Sequence, residues 1–331
     1  MKYISSIILL ATTLWLGADL NRENNNPMNT KDLKVGKNNI EFKSDGLKLA
    51  GHLHLPEGFD PKKQYRAVVV AGSLTSVKEQ MADTYADRLS KQGFITLSFD
   101  FRNYGESEGE IRQYEDPELK LRDLEAAVSY LVNLDYVESV GGLGICTAGG
   151  NMAYLAAQDK RLKAFVTIAA WLPNAETLPL LYGGEENLKT LRSKGVNAKE
   201  AYQNNGVNEI IPAYSDHDQT ASHVGPMEYY MDTHRGGGVP QWKNEFSVMS
   251  WNTWLDFDPI SKADQIETPA MIIHSDGSAL PDNAKLFYEQ LKGKKELVWL
   301  DGNHFDFYDQ KDQVDRSSKH AADFFRQTLN K

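Results

Sequence analysis

One cysteine stands among the 331 residues. That scarcity excludes an intrachain disulfide and any metal cluster built on thiolates. Positive charge is scarce too: 36 Lys and Arg face 46 Asp and Glu, giving a net charge of −10 and a pI of about 5.4. Nothing electrostatic draws the chain to nucleic acid or to an anionic membrane. A long apolar run is also missing. The stretch Ile4–Leu16 has thirteen residues, four of them Ser or Thr, short of the roughly 20 that a membrane-spanning helix needs. No internal repeat is evident. What remains is an ordinary globular composition, 41% hydrophobic and 25% charged, in a length that suits one large α/β domain or two small ones.

The start of the chain reads as an address. Lys2, the apolar run and Leu16-Gly17-Ala18 follow one another as positive charge, short apolar core and small residues. That order predicts a secretory signal peptide over residues 1–18 and an exported protein, periplasmic or secreted. No cysteine follows it to carry a lipid anchor. Residues 19–38 are rich in Asn and charge and are expected to form a disordered leader.

From residue 39 the pattern turns regular. Asn39–Pro56 alternates about Ser44-Asp45-Gly46, a hairpin signal. Arg66–Ala71 and Gly93–Phe99 are continuous apolar runs, as buried parallel strands should be. Val77–Gln92 and Pro117–Leu134 carry apolar residues at helical spacing. Further strands are expected at Leu162–Ala170, Pro269–His274 and Glu296–Leu300, with helices near Asp282–Leu291 and at Gln313–Thr328. A hairpin followed by alternating strands and helices predicts a mostly parallel, doubly wound sheet. Between about 171 and 259 the rhythm fails. Four tryptophans (Trp171, Trp242, Trp251, Trp254) and a Gly-Gly-Gly at 236–238 fall there. The segment is too long for a plain loop and is expected to be an inserted cap over the ligand-binding edge of the sheet.

The stretch Val140–Ala156 carries the chemistry. It opens as a short apolar strand, turns at Gly144-Ile145-Cys146-Thr147-Ala148, and continues as a helix with small residues on its inner face. A strand breaking into a helix through G-x-nucleophile-x-small is a nucleophile elbow. Its tip is Cys146. A thiol there sits at the positive end of a helix dipole, which is expected to lower its pKa and favour the nucleophilic thiolate. Unpaired amides of the first helical turn are available to an oxyanion. The plain alternative is a small buried hydrophobe.

The elbow G-I-C-T-A-G-G resembles those of the cysteine-nucleophile branch of the α/β-hydrolases, notably dienelactone hydrolase and X-prolyl-peptidase-like bacterial hydrolases. The stretches G-S-L-T-S-V-K-E-Q (72–80), F-D-F-R-N-Y-G-E-S (99–107), H-S-D-G-S-A-L-P-D (274–282) and G-N-H-F-D-F-Y-D (302–309) support the likeness. Ala148 departs from the usual elbow glycine. Asn103 departs from the glycine of D-x-R-G-x-G-x-S, although asparagine tolerates positive φ. The resemblance implies an α/β-hydrolase fold over residues 39–331 and the chain order nucleophile, acid, histidine. His304, just after the last strand, is then the base. Asp276 is the acid, with Asp282 as the alternative in place of a simple helix cap. The oxyanion donors are the amides of Thr147 and of Leu74 or Ser73. Asp216-His217-Asp218 with His223 and His234 has metal-ligand chemistry but no recognised spacing, and reads as a solvated loop.

The reading is an exported hydrolase of an ester, lactone or similar activated carbonyl. It works through a Cys146–His304–Asp276 triad and an acyl-enzyme, needs no cofactor or metal, and takes a small molecule under the cap. Its rivals are a non-catalytic or redox-sensing binding protein on the same scaffold and an acyltransferase.

Overall fold

The structure, a computed structural model, describes residues 33–329. The expected signal peptide and most of the leader lie outside them. Strands of the central sheet, numbered in chain order, are β1 Gly36–Ser44, β2 Leu47–Leu55, β3 Tyr65–Ala71, β4 Ile95–Phe99, β5 Val137–Ile145, β6 Leu162–Ile168, β7 Ala270–His274 and β8 Lys295–Trp299. They lie in the order β1-β2-β4-β3-β5-β6-β7-β8. β2 is antiparallel to both its neighbours, and every other pair is parallel. The fold is the expected α/β one.

Local chemistry explains the edges. The hairpin turns through Asp45 and Gly46, both at positive φ, as a tight Asp-Gly turn requires. The sheet starts at Gly36, so residues 36–38 belong to a strand and not to the leader. Their backbone pairs with β2, and the Asn38 side chain donates to the Leu53 carbonyl at 3.2 Å. An edge strand needs that ladder more than it needs apolar side chains.

Six helices of ten residues or more are found among the described residues: α1 Met81–Ser90, α2 Pro117–Val132, α3 Thr147–Gln158, α4 Glu185–Asn205, α5 Pro281–Gln290 and α6 Lys311–Thr328. α1 starts four residues later than the apolar spacing predicts. The buried Lys78 explains the delay: its amide donates to Asp100 at 2.7 Å and its ammonium lies 2.9 Å from the same carboxylate. That ion pair holds the loop after β3 in a non-helical path.

Alternate residues of β3 face opposite layers. Val68 and Val70 pack with α1 and α6, and Ala67, Val69 and Ala71 pack with α2, α3 and α5. Residues 171–259 add no strand to this sheet. They hold α4, two-residue strands and a dense set of aromatics continuous with the first layer.

Candidate active site

β5 ends at Ile145 and α3 begins at Thr147, so Cys146 alone makes the turn. Its φ is 54° and ψ −119°, a conformation that a residue with a Cβ adopts only under constraint. The constraint is visible. The Cys146 amide donates to the Ile168 carbonyl at 3.0 Å, and its carbonyl accepts from Gly149 at 2.9 Å and Trp171 at 3.0 Å. Gly144 is obligatory, because a Cβ there would lie 2.2 Å from the Ala148 carbonyl oxygen. The strained turn aims the sulfur at a cavity and the Thr147 amide at the sulfur.

His304 lies on the loop after β8. Its amide donates to the Gly277 carbonyl at 3.1 Å. Its Nδ1 accepts from the Ala279 amide at 3.2 Å, and its Nε2 is 3.1 Å from the Tyr308 hydroxyl. A backbone amide can only donate, so the neutral ring carries its proton on Nε2. Tyr308, four residues on, also hydrogen-bonds the Cys146 sulfur. The phenol therefore joins nucleophile and imidazole.

Asp276 is not where a triad acid belongs. It sits on the expected loop, but its side chain is 79% exposed and pairs with Lys285 at 3.6 Å. Asp282 is 96% exposed and shares that lysine at 3.7 Å. Among the described residues no carboxylate hydrogen-bonds the His304 ring. The Ala279 amide holds the ring instead, and His274 holds Ala279, with Nε2 3.1 Å from its carbonyl oxygen. Asp276→Asn is thus expected to leave turnover within about twofold, as for a solvated surface carboxylate. His274→Ala should lower it roughly tenfold by freeing the Ala279 loop. Steady-state kinetics on both variants decide, and a large loss at Asp276 alone would restore the acid.

The loop after β3 brings Leu74 to the elbow. Its amide donates to the Thr147 hydroxyl at 3.2 Å, so the two residues expected to supply oxyanion donors are neighbours. Tyr214 donates to the Leu74 carbonyl at 2.8 Å, and Tyr230 hydrogen-bonds Ser73. The two phenol rings stack 3.9 Å apart. Segment 171–259 thereby braces the loop from above.

Burial dominates the electrostatics. It raises the Cys146 thiol above its ordinary pKa, and hydrogen bonds from Tyr308 and Thr147 oppose this without offsetting it. Burial also pulls His304 down to about 3, with His274 nearby adding to the effect. The expected low-pKa thiol is corrected here: the helix dipole acts on a sulfur removed from water, and desolvation wins. The pair rests as thiol and neutral imidazole. Iodoacetamide should therefore label Cys146 more slowly than a model thiol at neutral pH, with the rate climbing beyond the ordinary thiol range. A rate already at its plateau near pH 6 would show a thiolate–imidazolium pair instead.

The cavity holds about 300 Å³. Trp171, Tyr214, His223, Met227, Tyr230, Trp254, Phe305 and Tyr308 are half of its lining residues, and among the described residues no Asp, Glu, Lys or Arg lines it. His223 bonds Tyr182 and Ser222, each at 3.0 Å, and burial lowers it to about 4. It belongs to the pocket wall, and the structure does not gather it with Asp216, His217, Asp218 and His234 as metal ligands. The tyrosines could not be told from core aromatics in the sequence. The spacing of Tyr308 from His304, one helical turn, is the one local signal.

The X-Pro dipeptidyl-peptidase (S15) family matches residues 45–306. The uncharacterised protein YcjY of Escherichia coli K12 is 30% identical over 295 residues, 86% of this chain and 95% of that one. The thiohydrolase aneE of Aspergillus aculeatus is 27% identical over 281 residues, 80% of this chain and 85% of that one. Among solved structures, the α/β-hydrolase GrgF from Penicillium superposes with a TM-score of 0.75 at 20% identity, covering 89% of this chain and 99% of the other. The chain belongs to the X-Pro dipeptidyl-peptidase (S15) family and is an α/β-hydrolase enzyme.

Proposed function

We propose that this S15-family α/β-hydrolase cleaves the acyl bond of an uncharged, mainly apolar ester, thioester or lactone, through an acyl-enzyme on Cys146. The observation that carries the reading is the composition of the cavity. An N-terminal dipeptide brings an ammonium group, and burying it without a carboxylate is strongly unfavourable. The cavity wall offers none among the described residues. A neutral acyl chain among aromatics meets no such penalty. The relative with a thiohydrolase name supports including thioesters.

The Cys146 sulfur attacks the carbonyl carbon and its proton passes to His304, which hands it to the leaving oxygen or sulfur as that atom's bond to the acyl carbon breaks, leaving the acyl group on Cys146. Water, deprotonated by the same imidazole, then attacks the acyl carbon and releases the acid. The Thr147 and Leu74 amides receive the oxyanion in both steps. For Nε2 to take a proton, the ring's own proton moves to Nδ1, so the Ala279 contact opens in the reacting state.

The test offers p-nitrophenyl esters of increasing chain length, an acyl thioester and an Xaa-Pro p-nitroanilide, with intact-mass detection of acylated Cys146. Ester or thioester turnover with an acyl adduct is the expected result. Faster release from the Xaa-Pro anilide would overturn the reading. Diversion of the acyl group to added alcohols in preference to water would make the enzyme a transferase.

Export is proposed on residues 1–18. Among the described residues no helix is long and apolar enough to cross a membrane. N-terminal sequencing of the mature protein should begin within a few residues of Asp19, and intact Met1 would overturn this.

A further inference from the structure

A second polar cluster lies away from the cavity, where β2 meets α1. His52 and His54 alternate along β2 and so project from the same face of the sheet. Ser98 on β4 stands opposite His52, and Lys37 on β1 stands opposite His54. Asp83 on α1 faces this row. Its Oδ2 lies 2.8 Å from His52 Nδ1, and its Oδ1 lies 3.2 Å from His54 Nε2. Ser98 donates to the same carboxylate, and the Lys37 ammonium is 3.3 Å from Oδ2. His52 and His54 are 5% and 4% exposed.

We propose that His52, His54 and Asp83 form a binding site for a divalent transition metal, with zinc as the fitting ion. The three ligand atoms already lie within 4.8 Å of one another. In a tetrahedral zinc site bonds of about 2.0–2.2 Å bring ligands to roughly 3.4 Å apart. Closing the cluster therefore needs the widest separation to shrink by at most about 1.4 Å and the 2.8 Å contact of His52 with Asp83 to open by roughly 0.6 Å, within the reach of imidazole and carboxylate rotation. Two imidazoles and one carboxylate are a donor set that suits zinc. Each histidine turns a different ring nitrogen to the carboxylate, and each of those nitrogens holds either a proton or a metal. On binding, the ion takes the place of the hydrogen between each of those nitrogens and the carboxylate, and that proton leaves to the ring's other nitrogen or to solvent. Lys37, half exposed, swings toward solvent and vacates the position where a water completes the coordination. The Ser98 hydroxyl stays on the carboxylate as an outer partner that orients it. The bound ion ties the N-terminal hairpin to α1, the helix that follows the Leu74 loop.

The cluster has a competing explanation, in which the histidines and Lys37 merely neutralise a half-buried aspartate. The two accounts differ over Lys37. A neutralising lysine strengthens the cluster, whereas a lysine at a metal site competes with the ion. The experiment titrates zinc chloride into the full chain carrying Cys146→Ala, which removes the active-site thiol as a rival ligand. Isothermal titration calorimetry and elemental analysis after dialysis read stoichiometry and affinity. The expected result is one zinc per chain, a melting temperature raised by roughly 5 °C at a hundredfold excess over Kd, and reversal by EDTA. His52→Gln and His54→Gln keep a hydrogen-bond donor toward Asp83 but lose the imidazole ligand, and each should weaken binding at least tenfold. Lys37→Met, an exposed change that leaves the core intact, should tighten it severalfold. Absence of binding at about 100 μM zinc, between millimolar and micromolar affinity, would overturn the site. So would affinity unchanged in both glutamine variants. Should those variants fail to fold, Lys37→Met decides: unchanged or weaker binding there overturns the proposal.

Discussion

A chain carrying Cys146→Ala is expected to lose turnover on its best ester or thioester by at least about 10⁴-fold, the scale on which removal of a covalent nucleophile acts. The substitution is clean. Alanine keeps the Cβ that the φ of 54° already tolerates, so the elbow should survive and the melting temperature should hardly move. The sulfur is also the one thiol in the chain, and mass spectrometry of a trapped acyl-enzyme therefore has a single site to find. The measurement is kcat/KM alongside adduct mass. Turnover within tenfold of the native chain, with a folded variant, would move the chemistry elsewhere and leave Cys146 as a packed or redox-active thiol.

The second large effect belongs to His304. His304→Ala should lower turnover by roughly 10²–10⁴-fold, the usual range for loss of general-base catalysis. The pH dependence separates this base from a merely structural histidine. Burial raises the thiol's pKa and lowers the imidazole's to about 3. Above about pH 3 the ring is neutral and available, so the native enzyme should keep its activity through the mildly acidic range. Without the ring the thiol must ionise alone. Acylation by the variant should then be slow at neutral pH, showing no burst, and should recover as pH rises past the ordinary thiol range. A variant that bursts at pH 7 and then stalls would instead mean that a thiolate pre-exists in the free enzyme. Tyr308→Phe should fall between the native chain and His304→Ala, because it removes the hydroxyl that joins sulfur to imidazole and leaves the base.

The fold was legible because its signals are local. Asp45-Gly46 turns the hairpin whatever lies around it, and the run Arg66–Ala71 announces a strand buried on both faces. The elbow, too, needs only neighbouring residues: Gly144 to pass the helix and Cys146 to take the strain. His304, expected just after the last strand, does line the cavity with Cys146. Asp276 shows where such reasoning stops. Chain order selects its loop, but the direction of a side chain on that loop depends on the turn around Gly277, and the carboxylate points to Lys285 and water. Tyr214 and Tyr230 come to the sulfur from a distant segment, and no spacing in the sequence separates them from core aromatics. The thiol's acidity fails for the same reason. The helix end is written in consecutive residues, whereas the layer that excludes water is assembled from residues scattered along the chain.

The bond from the Leu74 amide to the Thr147 hydroxyl has a consequence for selectivity. In the proposed reaction that amide is already satisfied before any substrate arrives. A neutral ester carbonyl offers it a bond of about the same strength as the hydroxyl does, so the exchange gains almost nothing. An oxyanion offers a charge-assisted bond roughly twice as strong and wins the donor. The hydroxyl thus acts as a threshold. It withholds one donor from the resting substrate and yields it as negative charge develops, and the stabilisation falls on the transition state, where it raises kcat, with little spent on tightening KM.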